Sequence, residues 1–221
     1  MKAKISEIFK SLQGEGIYQG RPQVFVRFYG CNLDCSYCDT KLISYEEKEV
    51  DDVFRQIAGY DGYGAVALTG GEPLLQAGVL KVLAKKIQDS GKKVYLETNG
   101  TSPDNLKEII DCVDMISMDF KLPSSGGGRS FWDEHQEFLR VALGKEVFVK
   151  AVVGPNTQIT DISRAVEILN TLNAKIPFVL QPQNPYEDIL GPKLLFFQSF
   201  CRMHGVDVRV IAQIHKKLGI K

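Results

Sequence analysis

The chain has 221 residues, 44% of them hydrophobic, enough for one α/β unit with a full core. Its 27 basic residues balance 27 acidic ones, so no global field draws it toward nucleic acid or an anionic membrane. No apolar run approaches the ~20 residues of a membrane span, and the basic start at Met1–Glu7 leads into no signal-peptide core, so a soluble, cytoplasmic protein is expected.

Short apolar runs recur along the chain, each followed by a cluster of special residues. Val24–Tyr29 leads into three cysteines, Ala65–Leu68 into Thr69-Gly70-Gly71-Glu72-Pro73, and Lys93–Leu96 into Glu97-Thr98-Asn99-Gly100. Met115–Asp119 leads into Phe120-Lys121, and Val147–Lys150 precedes Val153-Gly154-Pro155-Asn156. Phe178–Leu180 leads into Gln181-Pro182-Gln183-Asn184, and Val208–Ile211 into Gln213 and His215. Amphipathic stretches of helical length lie between them, such as 78–90, 161–172 and 191–204.

Strands alternating with helices predict a parallel sheet with right-handed crossovers. Seven runs fall short of a closed eight-stranded barrel. The expected fold class is therefore α/β, an open partial (β/α) barrel formed by a single domain over residues 1–221. Clusters that follow their strands belong at the C-terminal mouth, where α/β barrels hold their active sites. Turn formation alone would explain one such cluster, but six on one rim point to a site. Ser124–Gly128 reads as a flexible segment, either a flap over the mouth or a slack connection.

Of the five cysteines, Cys112 and Cys201 stand alone, while three share Cys31-Asn32-Leu33-Asp34-Cys35-Ser36-Tyr37-Cys38. A secreted disulfide scaffold would be smaller, denser in cysteine and usually even-numbered. Cubane iron–sulfur clusters normally take four thiolates, and only three are local here. Such a loop can grip three irons and leave the fourth open to an outside ligand. A structural zinc site would need a fourth ligand, and His135, His204 and His215 lie far along the chain. A redox pair at Cys35 and Cys38 leaves Cys31 unexplained.

This spacing, with an aromatic residue just before the last cysteine, resembles the radical S-adenosylmethionine superfamily, and the later clusters match it in order. The resemblance implies a 4Fe-4S cluster on Cys31, Cys35 and Cys38, with S-adenosylmethionine on the open iron. It implies cleavage of that cofactor by one electron, giving a nucleoside radical that abstracts hydrogen from substrate. Cofactor contacts are then expected from Tyr37, Asp39, Gly71, Glu72, Thr98, Asn99, Ser117 and Lys121, with Gln181, Gln183 and Asn184 bordering the adenine. Glycine permits close backbone approach, and Glu72 supplies an acceptor for the methionyl ammonium. A hydroxyl that satisfies backbone is the alternative for Ser117.

Ser11-Leu12-Gln13-Gly14-Glu15-Gly16 ahead of the first run, Arg27, Asp39-Thr40 and Gln213-Ile214-His215-Lys216 together resemble the 7-carboxy-7-deazaguanine synthase family. That resemblance implies conversion of 6-carboxy-5,6,7,8-tetrahydropterin to 7-carboxy-7-deazaguanine with loss of ammonia, in deazapurine biosynthesis of the queuosine or archaeosine type. S-adenosylmethionine would be regenerated, and Mg2+ would assist at Thr40. Leu12, Gln13, Gly14, Glu15, Arg27 and Thr69 are the implied substrate contacts. Gln13 and Glu15 suit the pterin edge, and Arg27 suits the substrate carboxylate through its fork of donors. A polar turn is the plain alternative for Gln13 and Glu15, and a solvated strand face for Arg27.

His215 stays unassigned, and the tail from Leu218 to Lys221 could fold over the mouth and present its carboxylate to substrate. Expected partners are the small pterin, an electron donor such as flavodoxin or ferredoxin, and a second copy in a homodimer. Neither direct nucleic-acid contact nor a membrane is expected. A glycyl-radical activating enzyme, with the same cysteine spacing, remains the alternative.

Overall fold

The computed structural model describes residues 1–40, 42–126, 128–172 and 175–220. Strands β1 (Lys2–Leu12), β2 (Pro22–Phe28) and β3 (Glu46–Glu49) come first, followed by helix α1 (Val50–Ala58). Strand and helix then alternate through β4 (Ala65–Gly70), α2 (Ala77–Asp89), β5 (Lys93–Thr98) and α3 (Pro103–Ile109). After β6 (Met115–Phe120) come α4 (Pro123–Gly126) and α5 (Trp132–Ala142). The remainder is β7 (Glu146–Val153), α6 (Ile159–Thr171), β8 (Phe178–Pro182), α7 (Gly191–Met203), β9 (Val208–Val210) and α8 (Ile214–Leu218).

All nine strands form one open sheet in the order β3-β1-β2-β4-β5-β6-β7-β8-β9. From β2 to β9 every neighbour is parallel, and these strands are the seven apolar runs of the sequence. Two strands outside those runs extend this parallel core. β1 pairs antiparallel with both β2 and β3, so the sheet carries a mixed edge. β1 escapes a periodicity reading because its register shifts between Ile5 and Glu7, which breaks the two-residue alternation.

That alternation sorts the strands' side chains onto two faces. Val24, Val26 and Phe28 of β2 point outward with Val66 and Leu68 of β4 and Val94 and Leu96 of β5, under the helices. The helices answer with buried positions at three- and four-residue spacing, such as Leu80, Leu83, Ala84 and Ile87 of α2. Phe25, Ala67, Tyr95, Met115, Phe148 and Val179 form a smaller inner cluster. Tyr18 plugs its base, edge-on to Tyr95 at 5.6 Å and to Phe148 at 6.0 Å. Gly16 admits the plug: its φ is +65°, and a Cβ there would meet Phe148 Cζ at 2.4 Å.

The segment read as flexible, a flap or a slack connection, is docked over its first half. Ser124 donates from its backbone N–H and hydroxyl to Asp161, and Ser125 shares a hydrogen bond with Thr157. Gly127 of that segment lies outside the described residues.

His135 of α5 is fully buried, stacked on Phe120 at 4.9 Å, with Nε2 3.2 Å from the Asn99 carbonyl. A carbonyl only accepts, so Nε2 carries a proton. Burial is the main cause that lowers its pKa from 6.5 to about 4. The unfolded chain therefore takes up a proton at a higher pH than the fold does, and stability falls as pH drops from 6.5 toward 4. At the lower limit the loss reaches about 3 kcal/mol for this one group. Urea midpoints measured across that window should show the decline, and His135→Gln should flatten it.

Candidate active site

A cavity of about 1030 Å³ opens at the C-terminal ends of the parallel strands. Above the inner apolar layer, each strand's next inward position is polar: Arg27, Thr69, Glu97, Ser117 and Asp119, Lys150 and Gln181 all line it. The loops beyond the strands complete the wall, including Cys31, Cys35 and Cys38.

The cysteine loop is held from two sides. On one side Asn99 Nδ2 donates to Asn32 Oδ1 at 2.9 Å, and Asn32 Nδ2 donates to the Thr101 hydroxyl at 2.9 Å. Thr101 closes the ring by donating to Asn99 Oδ1 at 2.7 Å. On the other side Ser36 donates to the Ser125 carbonyl at 3.2 Å, and Tyr37 lies under the Lys121 ammonium at 5.5 Å. Beneath the loop, Glu72 N–H donates to the Gly30 carbonyl at 2.8 Å. Gly71 sits so close that a Cβ would meet that carbonyl oxygen at 2.2 Å and Cys31 Cβ at 2.8 Å.

The three loop thiols are free and line the cavity, whereas Cys112 and Cys201 are buried in the outer core. Burial pushes the Cys31 and Cys35 thiols up, and Lys121 pulls Cys35 back toward the thiolate. Among the described residues, no three His, Cys, Asp or Glu side chains converge on a single ion. A cubane asks for something different, separate thiolates on separate irons, and a loop of three thiols facing one cavity can serve three of its four irons and leave the fourth open.

Charges alternate across the cavity floor. Glu15 pairs with Lys150, Lys150 lies 3.5 Å from Asp119, and Asp119 pairs with Lys121 at 2.9 Å. Burial alone would raise the Glu15 carboxyl, but Lys150, Gln213 and His215 outweigh it and hold the pKa below the ordinary value. Asp119 is lowered in the same way, burial being overcome by Lys121 and Lys150. Asp119 Oδ1, Gln181 Oε1 and the Tyr37 hydroxyl are buried in this wall without a hydrogen-bond partner among the described residues. Such orphans cost about 1–3 kcal/mol each unless a bound molecule satisfies them, so the wall suits a polar ligand rich in donors.

The radical SAM superfamily model matches residues 25–169, which carry the cysteine loop and β2 to α6. A 7-carboxy-7-deazaguanine synthase from Geobacter sulfurreducens is 36% identical over 98% of this chain and 97% of its own length. One from Methanopyrus kandleri is also 36% identical, over 96% of this chain and 92% of its own. The chain belongs to the 7-carboxy-7-deazaguanine synthase family of radical SAM enzymes. A crystal structure of QueE from Escherichia coli has the same fold, with a TM-score of 0.67 at 25% identity, covering 95% of this chain and 94% of that one.

Within this family frame, the cavity brings together nearly every residue singled out by sequence. Leu12, Gln13, Gly14, Glu15, Arg27, Tyr37, Asp39, Thr40, Thr69, Gly71, Thr98, Asn99, Ser117, Lys121, Gln181, Gln183 and Asn184 all line it. Glu72 is set behind this lining. It is fully buried behind the wall, with Oε1 accepting from Leu74 N–H at 3.0 Å and Thr98 at 2.9 Å, and Oε2 from Asn99 N–H at 2.7 Å. Burial pushes its carboxyl up to about 7 against the pull of these donors. Its carboxylate joins the loop after β4 to the end of β5.

Several other side chains are committed within the protein. Gln13 Nε2 donates to Glu97 at 2.8 Å and Gln23 at 3.1 Å, and its Oε1 accepts from Glu15 N–H at 3.0 Å. Arg27 Nε donates to Glu7 at 2.7 Å. His215 lines the cavity against Gly14, where a Cβ would meet His215 Nδ1 at 2.0 Å. Ile220 of the tail also lines it, while the carboxylate of Lys221 lies outside the described residues. Glu97, Asp119, Lys150 and Gln213 went unassigned by sequence. The first three occupy inward positions two residues beyond an apolar or polar inner neighbour, so strict alternation along each strand would have found them.

Gly71→Ala should force the cysteine loop outward, because neither the Gly30 carbonyl nor Cys31 Cβ can yield freely. Iron bound after anaerobic reconstitution should fall several-fold, and overpacking should cost about 1–3 kcal/mol in urea unfolding.

Proposed function

We propose that this chain converts 6-carboxy-5,6,7,8-tetrahydropterin to 7-carboxy-7-deazaguanine with release of ammonia. The observation that carries the reading is one cavity in which three free thiols on a braced loop share walls with Gln13, Glu15, Arg27 and Thr40. The cluster and S-adenosylmethionine, when bound, supply one-electron hydrogen abstraction. The protein's residues supply position and enclosure.

Cys31, Cys35 and Cys38 hold the cluster. Lys121 offers a buried ammonium to an anionic group of the cofactor, and Gln181 offers its unpartnered carbonyl to a donor such as an exocyclic amine. Glu15, kept ionised by Lys150 and Gln213, accepts from the N–H groups of the pterin ring. Arg27 is braced by Glu7 and faces the substrate carboxylate. Thr40 and that carboxylate offer Mg2+ the oxygen ligands a hard cation prefers.

Cytoplasmic residence suits a chain in which no described helix is long and apolar enough to cross a membrane. A homodimer would cover the exposed apolar row Leu195, Phe196 and Met203 on α7. Cluster reduction calls for a small redox protein of the flavodoxin or ferredoxin type.

The reconstituted, reduced protein should turn carboxytetrahydropterin into a deazapurine chromophore under strict anaerobiosis, without net loss of S-adenosylmethionine. Stoichiometric consumption of that cofactor would favour the activating-enzyme alternative. Cys35→Ala should abolish both cluster absorbance and turnover. Thr40→Ala should keep the cluster but blunt the rate response to added Mg2+, and an unchanged response would misplace the ion.

A further inference from the structure

Lys150 is a single cation shared by two half-buried carboxylates. Its Nζ pairs with Glu15 on one side and lies 3.5 Å from Asp119 Oδ2 on the other. The same Oδ2 takes Lys121 at 2.9 Å. The floor thus reads Glu15, Lys150, Asp119, Lys121, with alternating sign and side chains only 13% to 24% exposed. At this low exposure the ion pairs are strong enough to compete: one ammonium cannot sit closest to both carboxylates at once, and tightening one contact loosens the other.

The two ends of this chain of charges face different halves of the cavity. Glu15 stands beside Gln13 and Gln213. Lys121 stands over Tyr37, between the second and third cysteines. We propose that Lys150 couples the two halves, so that a ligand in one strengthens binding in the other. An anionic ligand group drawn to Lys121 weakens its hold on Asp119. Asp119 then draws Lys150, and Lys150 releases Glu15 to accept the N–H donors of a heterocycle. From the other end, donors on Glu15 push Lys150 toward Asp119 and free Lys121 for an anion. The enhancement has the same factor in both directions, as linkage requires.

This inference rests on the proposed function, in which S-adenosylmethionine and the carboxypterin share the cavity, and the experiment separates the two. Calorimetric titrations use the holoenzyme with its cluster held oxidised, so that no turnover occurs. Saturating S-adenosylmethionine should tighten carboxytetrahydropterin binding on the order of fivefold or more, with the reciprocal titration giving the same factor. Lys150→Met should reduce the factor toward one, while Lys150→Arg keeps it. Asp119→Asn, nearly isosteric, removes the competing charge and should also bring the factor toward one, which secures the test if Lys150→Met fails to fold. Equal affinities with and without the first ligand overturn the coupling. So does full enhancement in Asp119→Asn, which would trace cooperativity to direct contact between the ligands. If the wild-type holoenzyme binds no carboxytetrahydropterin in either state, the proposed function falls and the coupling falls with it.

Discussion

A buried carboxylate ties the reactive end of this molecule together. Glu72 takes three donors from two neighbouring loops: the backbone N–H of Leu74, the hydroxyl of Thr98 and the backbone N–H of Asn99. Its own N–H holds Gly30, the residue before the first loop cysteine. An unpaired carboxylate at that depth would cost several kcal/mol, so the fold is favourable only when both loops close on it. From Asn99 the order passes to Asn32 inside the cysteine loop. A loop that must present three thiols is therefore anchored on the sheet.

The cavity floor follows a related logic with a different outcome. Its carboxylates and ammonium groups are also poorly exposed, yet they face open volume rather than backbone. Pairing keeps them ionised, because burial alone would push Glu15 and Asp119 toward the neutral acid. A buried ion pair adds little to stability compared with well-packed apolar residues. Here the pairing keeps full charges on side chains that face the cavity. The apolar layer below, from Phe25 to Val179, carries the packing that the polar layer forgoes.

Sequence patterning made the parallel core visible because each of its strands is an apolar run ending in polar or glycine-rich residues. It could not show β1, whose bulge interrupts the alternation and whose exposed positions dilute its apolar ones. The cysteine loop and the Gly-Gly-Glu element were legible as motifs, since their residue types are chemically narrow. What Glu72 does was not, because residue type does not fix which way a side chain turns. Glycine beside it leaves the loop tight enough to turn that carboxylate inward. Lys150 was hidden for a further reason: its meaning lies in the distances to Glu15 and Asp119, residues remote in sequence that only the sheet brings together.

The direction of β1 also explains how an unclosed sheet can hold an enclosed site. Its last residue, Leu12, pairs with Pro22 at the start of β2, so the following loop begins at the base of the sheet, opposite the mouth. That loop crosses the concave face, with Tyr18 packing on Tyr95 and Phe148. It then meets the far edge, where Gln19 donates to the Ala212 carbonyl at 2.6 Å and Ile214 N–H donates to the Gly14 carbonyl at 3.0 Å. The chain from Gln13 to Arg21 thereby bridges the gap that an eighth parallel strand would fill. A strand there would have delivered one residue in two to the interior. A loop braced at both edges can deliver Gln13, Gly14 and Glu15 in succession, whereas Thr69, Glu97, Ser117, Asp119 and Lys150 reach the same cavity from alternate strand positions.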